Sequence, residues 1–204
     1  MMKSEHIKKI SDILLELDQR SAFALAEKRY DDAFEIYEEI LKAERDLKLD
    51  RLIGHTLLNM ANICMIKAMP EKALEYIDEA ANMKELQADA KDRGNIQISR
   101  ANCLFLLNRG EEAEKVLTKE LMKNRDHLIC GQIECILFSY YMRTEKNTKA
   151  RGAIDKAIQY FELDNNKEEL KKAIICRIEL MELSGQKQYA ELDRRKLEEI
   201  EKKG

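Results

Sequence analysis

Leu57-Leu58-Asn59-Met60-Ala61-Asn62-Ile63-Cys64 repeats its apolar residues at helical spacing, and after a break at Pro70 the chain resumes with Ala73-Leu74-Glu75-Tyr76-Ile77-Asp78-Glu79-Ala80. The two segments read as two helices of one hairpin. Ala61 and Ala73 are small enough for the helix axes to approach within about 8–10 Å. Ile77, one turn beyond Ala73, fills space toward a neighbouring hairpin. The same arrangement recurs as Ala33-x-x-x-Tyr37, Ala113-x-x-x-Leu117 and Ala150-x-x-x-Ile154, at spacings of 40, 40 and 37 residues, with a weaker copy at Ala190. Twelve residues before each alanine stands a small or apolar residue: Ser21, Ala61, Ala101, Phe138 and Ile178. One such hairpin cannot bury its own apolar face, so several must stack.

Outward from this signal the whole chain divides into ten helices. Their expected repeats are 4–48, 51–88, 91–125, 127–165 and 168–203, the last a degenerate cap, within a single unit over 1–204. Pro70 suits the first turn of its helix. Asn108-Arg109-Gly110, Asn147-Thr148, Asp164-Asn165-Asn166 and Ser184-Gly185 punctuate the later turns, and at Arg29-Tyr30-Asp31-Asp32 an Asp is placed to cap the second helix. Composition agrees: 7 Gly and 1 Pro in 204 residues leave few breakers, while 45% hydrophobic residues are too many for a disordered chain.

The stretches Leu57-x-x-Met60-Ala61-x-x-Cys64, Ala73-x-x-x-Ile77-x-x-Ala80, Arg109-Gly110-Glu111-Glu112-Ala113 and Lys28-Arg29-Tyr30-Asp31-Asp32-Ala33 resemble the tetratricopeptide family. The resemblance implies an all-α fold, a right-handed α-solenoid of about five antiparallel helix pairs whose first helices line a concave surface. The period departs from the family's usual length of about 34 residues, and the repeat-ending proline is missing. Both features predict second helices longer by one to two turns. Long-repeat arrays of this kind resemble bacterial peptide-sensing regulators, kinesin light chains and cell-polarity scaffolds.

On the first helices three columns of polar residues step with the repeat: Gln19, Asn59 and Ser99; His55, Asn95 and Gln132; Asn62, Asn102 and Ser139. Uncharged amides and hydroxyls both donate and accept hydrogen bonds, so they can hold the main chain of an extended peptide. Met65, Leu58, Leu106 and Tyr140 or Tyr141 are candidates for apolar pockets beside them. The columns contain no Lys or Arg, which argues against a clamp for a terminal carboxylate. Arg51, Arg100 and Arg143 fall outside their register, and Arg100 either reaches the groove or only lays its stem along apolar surface.

Other classes find little support. No GxSxG, phosphate-binding glycine loop or HExxH is present, so no catalytic residue and no cofactor is assigned. Cys130 with His127 is the nearest approach to a nucleophile and base. Five cysteines without a CxxC pair read as buried hydrophobes, with neither a disulfide framework nor a metal site. A net charge of -3 with interspersed signs offers no nucleic-acid face, and no segment reads as a secretory signal or membrane span. The expectation is a cytoplasmic protein- or peptide-binding scaffold. The alternative is a peptide-sensing regulator of the bacterial signalling type acting through a partner. The terminal stripe Leu192, Leu197 and Ile200 reads as a cap, with pairing to a second copy in a homodimer as the other reading.

Overall fold

The computed structural model describes the backbone of residues 2–202 and the side chains from residue 12; His6 lies outside the described side chains. Eleven helices are found among the described residues: α1 (Met2–Ala26), α2 (Tyr30–Leu47), α3 (Asp50–Ile66), α4 (Pro70–Ala81), α5 (Lys84–Ala88), α6 (Ala90–Leu106), α7 (Gly110–Leu121), α8 (His127–Arg143), α9 (Asn147–Leu163), α10 (Lys167–Leu183) and α11 (Lys187–Lys202). They form two compact units, residues 1–109 and 110–204, divided at the turn between α6 and α7.

In the first unit α1 pairs with α2 and α3 with α4, α3 packs on α2, and α6 lies against α3 and α4. In the second, α8 pairs with α9 and α10 with α11, α10 packs on α9, and α7 lies against α8. The five alanines that mark the repeat, Ala33, Ala73, Ala113, Ala150 and Ala190, are each 0% exposed. The positions twelve before them, Ser21, Ala61, Ala101, Phe138 and Ile178, are all buried as well. Both marked positions of the repeat are therefore buried throughout.

The hairpin turns repeat as strictly as the core. Lys28, Ala68, Asn108, Glu145 and Gly185 all have φ between 55° and 72°, and they are spaced 40, 40, 37 and 40 residues apart. At each, the next amide donates back across the turn: Arg29 to the Ala24 carbonyl, Met69 to Cys64, Arg109 to Leu104, Lys146 to Tyr141 and Gln186 to Met181, at 2.8–2.9 Å. This left-handed ending satisfies carbonyls that the helix leaves open.

Two local expectations change. Asp31 does not cap α2: that helix starts at Tyr30 after Arg29, with no side-chain cap. Asp31 and Asp32 sit inside the first turn, where they favour the helix dipole instead. Longer second helices are found in α2, α9 and α11, at 18, 17 and 16 residues, but α4 and α7 have 12 each. In those two hairpins the surplus goes to first helices of 17 residues and, after α4, to the short helix α5. Leu86 of α5 is fully buried against Gly54 of α3, where a Cβ would stand 2.4 Å from a Leu86 methyl carbon.

Candidate peptide-binding surface

The outward face of α3 follows the helical spacing Leu52, His55, Asn59, Asn62, Ile66, while Leu57, Met60, Ala61 and Cys64 are buried on the other side. On α6 the corresponding stripe is Asn95, Ser99, Asn102 and Leu106, backed by buried Ile96, Cys103 and Leu104. The two helices touch. Asn59, Asn62 and Asn102 are exposed, Asn95 and Ser99 half-exposed. Among the described residues, none of these side chains is committed to a protein partner. Ile66 and Leu106, forty residues apart at the same place in each repeat, are 57% and 53% exposed. The surface is thus a row of free amides closed at one end by two apolar side chains.

Its other end is ionic. The His55 Nε2 lies 3.6 Å from Asp92 Oδ1, and Arg51 Nη2 lies 2.9 Å from Asp92 Oδ2, so α3 is tied to the first turn of α6. Asp89 caps α6 by accepting from the amides of Lys91 (2.8 Å) and Asp92 (2.9 Å). The bond from the Asp92 amide, with that from Lys91 and the Arg51 charge, holds the Asp89 carboxyl below its ordinary range against the cost of burial. His55 is therefore engaged in a helix–helix contact, unlike the amides in the neighbouring columns.

Gln19 belongs to the same unit and is exposed on α1, but the next two stripe positions there are Ala22 and Ala26. Gln132 and Ser139 stand on α8 of the second unit, half-exposed and exposed. The Ser139 hydroxyl donates to the Cys135 carbonyl at 3.1 Å, so it is already occupied by its own helix. Of the expected apolar pocket residues, Leu106 is available, whereas Leu58, Tyr140 and Tyr141 are buried. Tyr141 donates its hydroxyl to Glu114 Oε1 at 2.9 Å. Leu52 and Ile66 were missed, although the same 3–4 spacing carried in both directions from Asn59 leads to them.

The remaining candidates resolve into structural roles. Arg100 pairs with Asp78 of α4, binding α6 to the preceding hairpin. The Cys130 thiol donates to the Asn124 carbonyl at 3.7 Å, and burial, followed by nearby carboxylates, pushes its pKa up, which disfavours a thiolate nucleophile. His127 faces the Tyr160 ring, with centroids 6.2 Å apart. Burial lifts the Cys103 thiol to about 11 and Cys135 to about 12. All five cysteines are free, and among the described residues no three metal-ligating side chains converge. Nor, among the described residues, is any helix long and apolar enough to cross a membrane.

Neither a family model nor a curated protein sequence matches the chain. Solved structures do. BtubC from P. vanneervenii superposes with a TM-score of 0.76 at 14% identity, over 98% of this chain and 84% of its own. The apo form of RapI gives 0.70 at 17%, over 93% and 70%. The apo form of the quorum sensor NprR from B. thuringiensis gives 0.72 at 14%, over 99% and 58%. With the repeated core and turns, these likenesses establish an all-α helical-repeat fold of the tetratricopeptide type. At such identities they say nothing further of activity.

Proposed function

We propose that this chain is a cytoplasmic, non-catalytic binding module whose ligand is a peptide or protein segment lying across the outward stripes of α3 and α6. The observation that carries the reading is the set of uncommitted amides Asn59, Asn62 and Asn102 beside exposed Ile66 and Leu106. An extended segment would exchange main-chain hydrogen bonds with the amides and set an apolar side chain between the two aliphatic ones. Gln19 would extend the row on α1, and Gln132 and Ser139 would offer a separate, weaker row on the second unit. Neither nucleic acid nor membrane is a proposed partner. Free thiols suit a reducing compartment.

The test begins with affinity capture of a ligand by the full chain and continues with calorimetry. Asn62→Ala together with Asn102→Ala is expected to weaken binding about tenfold or more, since each lost hydrogen bond is worth ~0.5–1.5 kcal/mol. Helicity measured by circular dichroism should stay unchanged. Equal affinity of the double variant and the wild type would remove the surface from consideration.

A second reading draws on the likeness to a quorum sensor. The chain would then be a peptide-sensing regulator that acts through a partner protein. A change in small-angle scattering on adding the captured peptide supports this reading, and an unaltered profile counts against it.

A further inference from the structure

We propose that the outer flank of α1 is a self-association surface that joins two copies of this chain through antiparallel α1 helices, independently of the peptide surface. The flank consists of Ile13, Glu16, Arg20 and Phe23, which share one helix face at spacings of three, four and three. All four are exposed, Ile13 at 47% and Phe23 at 61%. Among the described residues Glu16 and Arg20 have no ion-pair partner.

The later repeats tell what this face is built for. Forty residues on, the same four positions of α3 are Ile53, Thr56, Met60 and Ile63, none more than 5% exposed. They lie on a helix that packs against α2. Arg20 in turn corresponds to Arg100 and Arg177. Each of these is paired with an aspartate on the second helix of the preceding hairpin, Arg100 with Asp78 and Arg177 with Asp155 at 2.8 Å. The α1 flank is therefore a stacking face that carries its arginine and its apolar residues but no covering helix among the described residues.

Charge and symmetry decide the occupant. Beside α1 a shallow groove of about 460 Å³ is rimmed by Asp32, Glu35 and Glu39 of α2 as well as by Glu16. An acidic helix copying the internal arrangement would meet these carboxylates, and among the described residues lining the groove only Arg29, already paired with Asp32 at 2.7 Å, adds to Arg20 on the basic side. A second α1 brings acid and base in reversed order. About a two-fold axis at residue 18 the stripe maps onto itself: Ile13 meets Phe23 of the second copy, Glu16 meets Arg20, and each pairing occurs twice. Ile13 and Phe23 are ten residues apart, about 15 Å along the helix, so the two charge pairs sit between two apolar contacts. A self-complementary patch of this kind is what a closed two-fold interface requires.

Sedimentation velocity and light scattering on the full chain across a concentration series test the proposal. The wild type is expected to be dimeric at tens of micromolar. Phe23→Asp, Arg20→Glu and Glu16→Arg should each weaken association at least tenfold, with circular dichroism unchanged. The double variant Glu16→Arg with Arg20→Glu should restore the dimer, because it reverses both members of each pair. A wild-type chain that stays monomeric, leaving the face to a different protein, overturns the proposal. So does a dimer indifferent to these single variants, one lost instead on Leu192→Asp in α11, or a double variant no better than the singles.

Discussion

Four of the five equivalent turn positions place a side chain in the left-handed region: Lys28, Ala68, Asn108 and Glu145. Only the fifth, Gly185, is free of the steric cost, which is ~1–2 kcal/mol for an ordinary L-residue and less for Asn. Ala68→Gly and Glu145→Gly are accordingly expected to stabilise the chain by about 1 kcal/mol each, Asn108→Gly by less, and Gly185→Ala to destabilise it by a similar amount. Chemical denaturation with unchanged m-values checks all four. At this scale the sequence reveals Gly185 and Asn108 as turn residues through their chemistry. Lys28, Ala68 and Glu145 carry no such mark, and only their place in the period identifies them. The candidate surface was legible in the same uneven way. Asn59, Asn62 and Asn102 could be read from register alone, because a solvent-facing column needs only the helical repeat. The burial of Leu58 and the engagement of His55 could not, because both depend on which neighbour arrives: α6 brings Asp92 to His55 across 37 residues of chain.

Among the elements, α5 is the one that periodicity did not reveal. Five residues are too few to show a helical stripe, and Leu86 is their only fully buried side chain. Its burial against Gly54 nevertheless fastens the exit of α4 to α3. Leu86→Ala should cost ~2–5 kcal/mol, the range for a large-to-small change in a packed core. A second close approach lies between α8 and α9: a Cβ on Gly131 would stand 2.4 Å from a carbon of the Phe161 ring, itself 0% exposed. A ring held on all sides cannot yield as a leucine methyl can. Gly131→Ala is therefore expected to cost more than Gly54→Ala, with about 1–3 kcal/mol typical of overpacking. Thermal melts of the two variants side by side give the comparison. The helices other than α5 were readable in outline because each is long enough to display its stripe.

Over the whole molecule, stability in a stack of hairpins is the sum of each hairpin and its contacts with neighbours. Helices flanked on both sides, α3 with α4 and α8 with α9, should protect their amides longest from hydrogen exchange. The second half of α11 should exchange early, because the buried residues of that helix, Ala190 and Asp193, both lie in its first half. Mass-spectrometric exchange on the intact chain reads this directly, and uniform protection along the chain would contradict it. The long-range order that sets this gradient was legible because it rests on one rule repeated five times. The ionic bonds between repeats were less so, since a surface with 37% charged residues contains many pairs that never meet.

One set of those ionic bonds follows an alternation. Arginine stands at one equivalent position in the first, third and fifth hairpins (Arg20, Arg100, Arg177), and the second and fourth have Met60 and Leu137 there. Aspartate answers from the second and fourth, as Asp78 and Asp155, while the first and third carry Glu38 and Thr118. Arg177 is also gripped by Asp193 through two further hydrogen bonds of 2.6 and 2.7 Å. For this contact the repeating unit is thus the couple of hairpins, not the single hairpin. Two hairpins of this alternating kind inserted together would keep Arg100 and Arg177 each beside an aspartate of the preceding hairpin. One odd-numbered type inserted alone before the fifth hairpin would leave Arg177 facing the position that holds Glu38 or Thr118 in the first and third hairpins.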